Sequence, residues 1–218
     1  MDAAPADPAA PVAAMPARVL LVHGLWMPPL AMRRFATRLR ALGFATETVG
    51  YRSIVGSTGA AVARIRDRLR GAPPTHVVGH SLGGLLALEA VRAEPGLPVG
   101  RVVCLGTPLC GSGAARTLSR TALTALYLGR SAALLRGGCA ALPAAVEVGM
   151  VAGDRRRGLG ALVARFDGPH DGTVAVAETR LPGLAGHVVI DASHTGLLFS
   201  AEAARLAAAF LATGRFPR

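Results

Sequence analysis

Residues 75–93 read THVVGHSLGGLLALEAVRA. The opening Thr, His and paired Val suit a buried strand, and the closing run of Leu, Ala and Glu suits a helix. Between them Gly79-His80-Ser81-Leu82-Gly83 matches G-x-S-x-G. In that pattern flanking glycines give room for a sharp strand-to-helix turn, which holds a serine hydroxyl above the edge of a sheet. Such a match arises by chance about 0.1 times in a chain of this composition. The weight therefore comes from its context, because the five residues stand where a strand-like run meets a helical one.

Outward from this turn, short β-rich runs alternate with amphipathic stretches. RVLLVH at 18–23 predicts a first strand, followed by a helix over 30–42 with Leu30, Phe35, Leu39 and Leu42 on its apolar face and Gly43 ending it. Residues 45–51 predict a second strand and 60–69 a second helix. After the central turn come RVVCLG at 101–106, VEVGMVAG at 146–153 and HVVIDA at 187–192, then a last helix from Thr195 to Leu211. This alternation predicts an α/β fold, with a mostly parallel sheet covered by helices on both faces. Residues 112–143, with Leu118, Leu123, Leu126 and Leu134, predict either a small cap over the site or a crossover helix.

The chain has 218 residues, 51% of them hydrophobic, which suits one domain over 17–218. The start, MDAAPADPAAPVAA, predicts a disordered Ala/Pro-rich tail over 1–16. It lacks the basic, continuously apolar character of a secretory signal, from which a cytoplasmic location is expected. The net charge of +11 comes from arginine alone, with no lysine present. A basic surface attracts polyanions, so transient contact with an anionic membrane is an expectation. With aromatics at 4% and no reader motif, nucleic acid is not expected as a partner. Cys104, Cys110 and Cys139 have no metal-ligand spacing and are expected to be buried free thiols.

The central turn also puts the Leu82 amide at the start of a helix, where free N–H groups favour developing negative charge. A second donor is expected from the loop after the first strand, HGLW at 23–26: the Leu25 N–H, or alternatively that of Trp26, with His23 and Gly24 shaping the loop. A serine hydroxyl needs a base, and three late histidines compete. His170 adjoins the acid candidate and His187 begins a strand, whereas His194 follows HVVIDA and completes the order Ser, acid, His. Asp171 in GPHDGTV is the first choice of acid. Asp154 precedes Arg155, Arg156 and Arg157 and reads as a solvated turn, Asp167 shares the segment, and Asp191 reads as structural.

HGLW, GHSLGG at 79–84, GTPLCGS at 106–112, DGTV at 171–174 and SHTGLL at 193–198 together resemble bacterial α/β-hydrolase esterases and lipases, over about residues 20–210. The resemblance implies Leu25 and Leu82 as oxyanion donors, Asp171 and His194 as acid and base, and a pocket-side role for residues 106–112; no cofactor is expected from this chemistry, and no metal, since the chain shows no clear carboxylate cluster. It also implies cleavage of small-molecule or lipid esters through an acyl-enzyme on Ser81. Acyl transfer and thioesterase action are alternatives on the same fold, and a non-catalytic basic membrane-associated protein is a further one.

Overall fold

The computed structural model describes residues 17–119, 126, 128–157, 166 and 168–217. The tail over 1–16, Leu123 and Asp167 lie outside the described residues. In chain order the elements are β1 (Arg18–Val22), α1 (Arg33–Ala41), β2 (Ala45–Val49), α2 (Thr58–Leu69), β3 (Thr75–His80), α3 (Leu82–Ala93) and β4 (Val99–Leu105). There follow α4 (Gly113–Leu118), α5 (Ala132–Gly137), β5 (Glu147–Gly153), β6 (Gly186–Ile190) and α6 (Ala201–Thr213).

The six strands form one sheet in the order β2-β1-β3-β4-β5-β6, and every neighbouring pair is parallel. Alternate side chains of β1 divide between two cores. Leu20 and Val22 join Ile65, Leu85 and Leu88 on one face, while Val19 and Leu21 join Phe35, Leu39 and Phe210 on the other. With both faces covered, β3 is buried along its whole length, which accounts for its unbroken apolar character in the sequence.

Two helices depart from their expected bounds. Residues Pro29–Met32 form a 3-10 turn before α1, so Leu30 is 68% exposed and Met32 takes its place in the core with Phe35 and Leu39. The tighter 3-10 winding rotates Leu30 off the face that an α-helix would have aligned. Leu42 lies beyond the last turn of α1 and is exposed. The last helical stretch is broken at Ser200, which is extended at φ −77° and ψ 126° and accepts the Ala203 N–H at 3.1 Å, capping α6. Residues Gly196–Phe199 ahead of it form a separate 3-10 turn.

In 112–143 the described residues hold two six-residue helices rather than one continuous apolar face. Leu135 is buried, Leu118 and Leu134 are partly buried against the core, and Leu126 is exposed. Cys104 and Cys139 are buried as expected, but Cys110 is exposed, its thiol donating to the Arg180 carbonyl at 2.6 Å. Among the described residues no helix is long and apolar enough to cross a membrane.

Candidate active site

The chain leaves β1 for β2 on one side and returns to β3 on the other, so the strand order reverses between β1 and β3. Loops part at such a point and open a crevice at the carboxyl ends of the strands. His23 and Gly24 follow β1 there, Ser81 follows β3, and Gly106 follows β4; the loops after β5 and β6 bring Asp171 and His194 to the same edge.

Ser81 has φ 53° and ψ −121°. A β-carbon makes this region unfavourable, costing about 1–3 kcal/mol. The surroundings hold it there: the Ser81 amide donates to the Leu105 carbonyl at 2.9 Å, and its own carbonyl accepts from Gly84 at 3.0 Å. Gly83 is required by close approach, because a Cβ there would stand 2.2 Å from the Val22 carbonyl oxygen. The turn is thereby seated against the end of β1. Gly24 of the neighbouring loop also comes close, its Cβ position lying 2.9 Å from His80 Nδ1 and 3.3 Å from the Ser81 Cβ. Leu25 is partly buried and Trp26, at φ 60°, is exposed. Leu82 is fully buried as the first residue of α3.

His194 and Asp171 meet directly. His194 Nδ1 lies 2.6 Å from Asp171 Oδ2, and the His194 amide donates to the Asp171 carbonyl at 2.9 Å. The other carboxylate oxygen, Oδ1, accepts the amides of Thr173 at 2.9 Å and Val174 at 2.7 Å. This explains the DGTV run: a tight turn closes over the acid and uses one oxygen, leaving the other for the imidazole. Nδ1 facing a carboxylate carries the proton, which leaves Nε2 as an acceptor. Asp171 is 1% exposed, and His194 and Ser81 are each 8% exposed, so all three are largely withdrawn from solvent.

Ser81 is linked to this pair through its neighbour. His80 Nε2 lies 2.9 Å from the His194 carbonyl oxygen, and the two rings are 4.7 Å apart. A direct hydrogen bond between the side chains of Ser81 and His194 is not present. Burial, reinforced by the nearby His194, pushes the His80 imidazole down to about 3. His23 has its Nδ1 2.9 Å from the Gly24 carbonyl and stacks on Tyr51 at 4.2 Å, while the Tyr51 hydroxyl donates to the His23 carbonyl at 2.6 Å. Burial lowers the His23 pKa, keeping a neutral brace under the loop.

The rival candidates have other partners. His170 accepts the Gly172 amide at 3.1 Å and stacks on Phe166, shaping the loop that carries Asp171. His187 Nε2 meets the Thr179 hydroxyl at 2.8 Å. Asp191 is ion-paired with Arg155, and Asp154 is exposed.

Gly106 and Tyr51 were not singled out individually by the sequence. Gly106 has φ +55°, and a Cβ on it would stand 3.1 Å from Asp171 Oδ2 and 3.2 Å from His194 Nδ1. It is the floor beneath the carboxylate–imidazole contact. The GTP run at 106–108 was its only local signal.

No family model and no curated protein matches the chain. Solved structures do. The mature form of the lipase BlEst2 of Bacillus licheniformis superposes with a TM-score of 0.72 at 20% identity, over 88% of this chain and 90% of that one. The metagenomic carboxyl esterase MGS0156 gives 0.66 at 22%, over 86% and 67% of the two chains. A pyrethroid hydrolase of Sphingobium faniae JZ-2 gives 0.61 at 14%, over 90% and 97%. With its parallel sheet and flanking helices, the chain has the α/β-hydrolase fold.

Proposed function

We propose that the protein is a serine hydrolase that cleaves carboxylic esters. The observation that carries this reading is the strained Ser81 at φ 53°, standing at the same sheet edge as an imidazole held at 2.6 Å by a buried carboxylate. The fold shared with a lipase and a carboxyl esterase supports it.

In this mechanism His194 Nε2 takes the Ser81 proton as Oγ attacks the ester carbonyl carbon. Asp171 holds the imidazole tautomer and stabilises the imidazolium. The carbonyl oxygen becomes an oxyanion, received by the amide of Leu82 at the start of α3 and by that of Leu25, or alternatively Trp26, in the loop beside Ser81. As the tetrahedral species collapses, the ester C–O bond breaks, and His194 gives its proton to the departing alkoxide. Water then attacks the acyl-enzyme with its proton passing to Nε2, and the acid is released as Ser81 regains its hydrogen. These steps use the chain's own residues alone.

Residues 17–218 act as one domain, with 112–143 as a small cap. In support, Arg130 donates its amide to the Ile54 carbonyl at 3.1 Å and the Ser131 hydroxyl donates to the Ser53 carbonyl at 3.0 Å. A segment that leaves β4 thus reaches the loop after β2, on the far side of β3 and β1.

The test is turnover of p-nitrophenyl esters from acetate to laurate, by wild type and by Ser81→Ala. The expected result is hydrolysis with a chain-length optimum and a loss of at least about 10³-fold in the variant. Equal turnover by the variant, or none by folded wild type, contradicts the reading.

A further inference from the structure

One hydrogen bond runs directly from the strand that carries Ser81 to the loop that carries His194, spanning 114 residues of sequence: the one between His80 and the His194 carbonyl. A carbonyl oxygen only accepts, so His80 Nε2 is the donor and Nδ1 is a bare lone pair. That Nδ1 is buried and has no hydrogen-bond partner. An unpartnered buried acceptor weakens a fold, and an apolar ring of the same size would avoid the cost. The imidazole is therefore better explained by its donor than by its packing.

His194 is held at three points, and they divide by what they fix. Its amide and its Nδ1 both go to Asp171, in the loop after β5, the strand beside β6. Those two bonds set the base relative to the acid. Only the carbonyl goes to β3, which β4 and β5 separate from β6 in the sheet. We propose that His80 is a positioning residue whose Nε2–H sets the reach of His194 to Ser81, a role that rests on reading these two as base and nucleophile. His80 is only 1% exposed and abuts Gly24 through Nδ1, so it cannot swing away while the loop after β1 is in place. Its neutrality matters too, since a charged ring 4.7 Å from His194 would oppose the imidazolium formed during the reaction.

The signature separates positioning from packing. Without the donor, the Asp171–His194 pair persists while the distance to Ser81 loosens, so kcat falls and KM does not move. Glutamine can place an amide N–H near the position of Nε2, whereas asparagine places its own near Nδ1, too short to reach the carbonyl. The experiment measures kcat and KM of His80→Phe, His80→Asn and His80→Gln on one p-nitrophenyl ester, and follows the downfield His194 Nδ1 proton by NMR. The expected result is kcat lower by about 10²-fold in His80→Phe and His80→Asn with KM held within about twofold, the downfield resonance retained, and most of kcat restored in His80→Gln. Comparison of the Asn and Gln variants suffices if the Phe variant does not fold. Full activity in His80→Asn, or a His80→Gln as slow as His80→Asn with the resonance intact, overturns the proposal. Fluorophosphonate labelling of wild type keeps the two readings apart: unlabelled wild type overturns the nucleophile assignment and this role with it, while labelled wild type beside unimpaired variants overturns the role of His80 alone.

Discussion

Asp171 Oδ2 and His194 Nδ1 meet at 2.6 Å although 23 positions apart in sequence, while Oδ1 of the same carboxylate is taken up by the Thr173 and Val174 amides. The two oxygens therefore have separate tasks, one closing the loop and one orienting the ring. Asp171→Asn would keep the loop bonds through its carbonyl oxygen but present an N–H to Nδ1. That forces the proton onto Nε2, the atom that accepts from Ser81 in the proposed mechanism. The expected outcome is a folded protein whose kcat is down by about 10⁴-fold, read from ester hydrolysis beside a thermal melt. A variant with more than a tenth of wild-type activity would contradict the tautomer argument.

Ser81 stores backbone strain at φ 53°, for which the proposed nucleophilic role gives a reason. Glycine adopts φ near +53° without a β-carbon, whereas alanine keeps the steric problem. Urea unfolding should place Ser81→Gly above Ser81→Ala in stability by about 1 kcal/mol, with both variants inactive. Equal midpoints for the two would show that the turn is not strained.

Acid should unfold the protein in a defined window. His80, fully buried, has its pKa pushed from 6.5 to about 3, and burial also lowers those of His23 and His187. Because the folded-state values lie below the unfolded ones, the unfolded chain binds more protons. Stability is thus fully present above pH 6.5 and declines as pH falls towards the folded value, by at most about 1.4 kcal/mol per pH unit for each histidine. Urea titrations at pH 7, 6 and 5 should show this slope, and His80→Gln should reduce it by about one proton. A slope unchanged in that variant would mean His80 is protonated in the folded state.

Much of this arrangement was legible because it is local. Val77 and Val78 before Gly79, and Leu85 and Leu86 after Gly84, mark a strand and a helix with little room for a loop between them, and Asp171 was reached through its place ahead of His194 and the DGTV resemblance, while the turn that ties its Oδ1 to its own backbone came only with the structure. What escaped depends on partners far along the chain. Nothing near His80 signals that its ring meets a carbonyl 114 residues away, and nothing near Gly106 signals that Asp171 and His194 rest against it. Leu30 and Ser200 were misread for a different reason. Each lies where helical periodicity continues in sequence while the backbone changes winding or is capped, and apolar spacing does not register that change.

The account rests on Ser81 being the nucleophile, and covalent labelling tests this most directly. Wild type, Ser81→Ala and His194→Gln would be treated with a fluorophosphonate probe, and the adduct located by peptide mass analysis. The account predicts one adduct on the peptide containing Ser81 in wild type, none in Ser81→Ala, and labelling slowed by at least about 10³-fold in His194→Gln. An adduct on another serine, or labelling of Ser81→Ala at the wild-type rate, would contradict it.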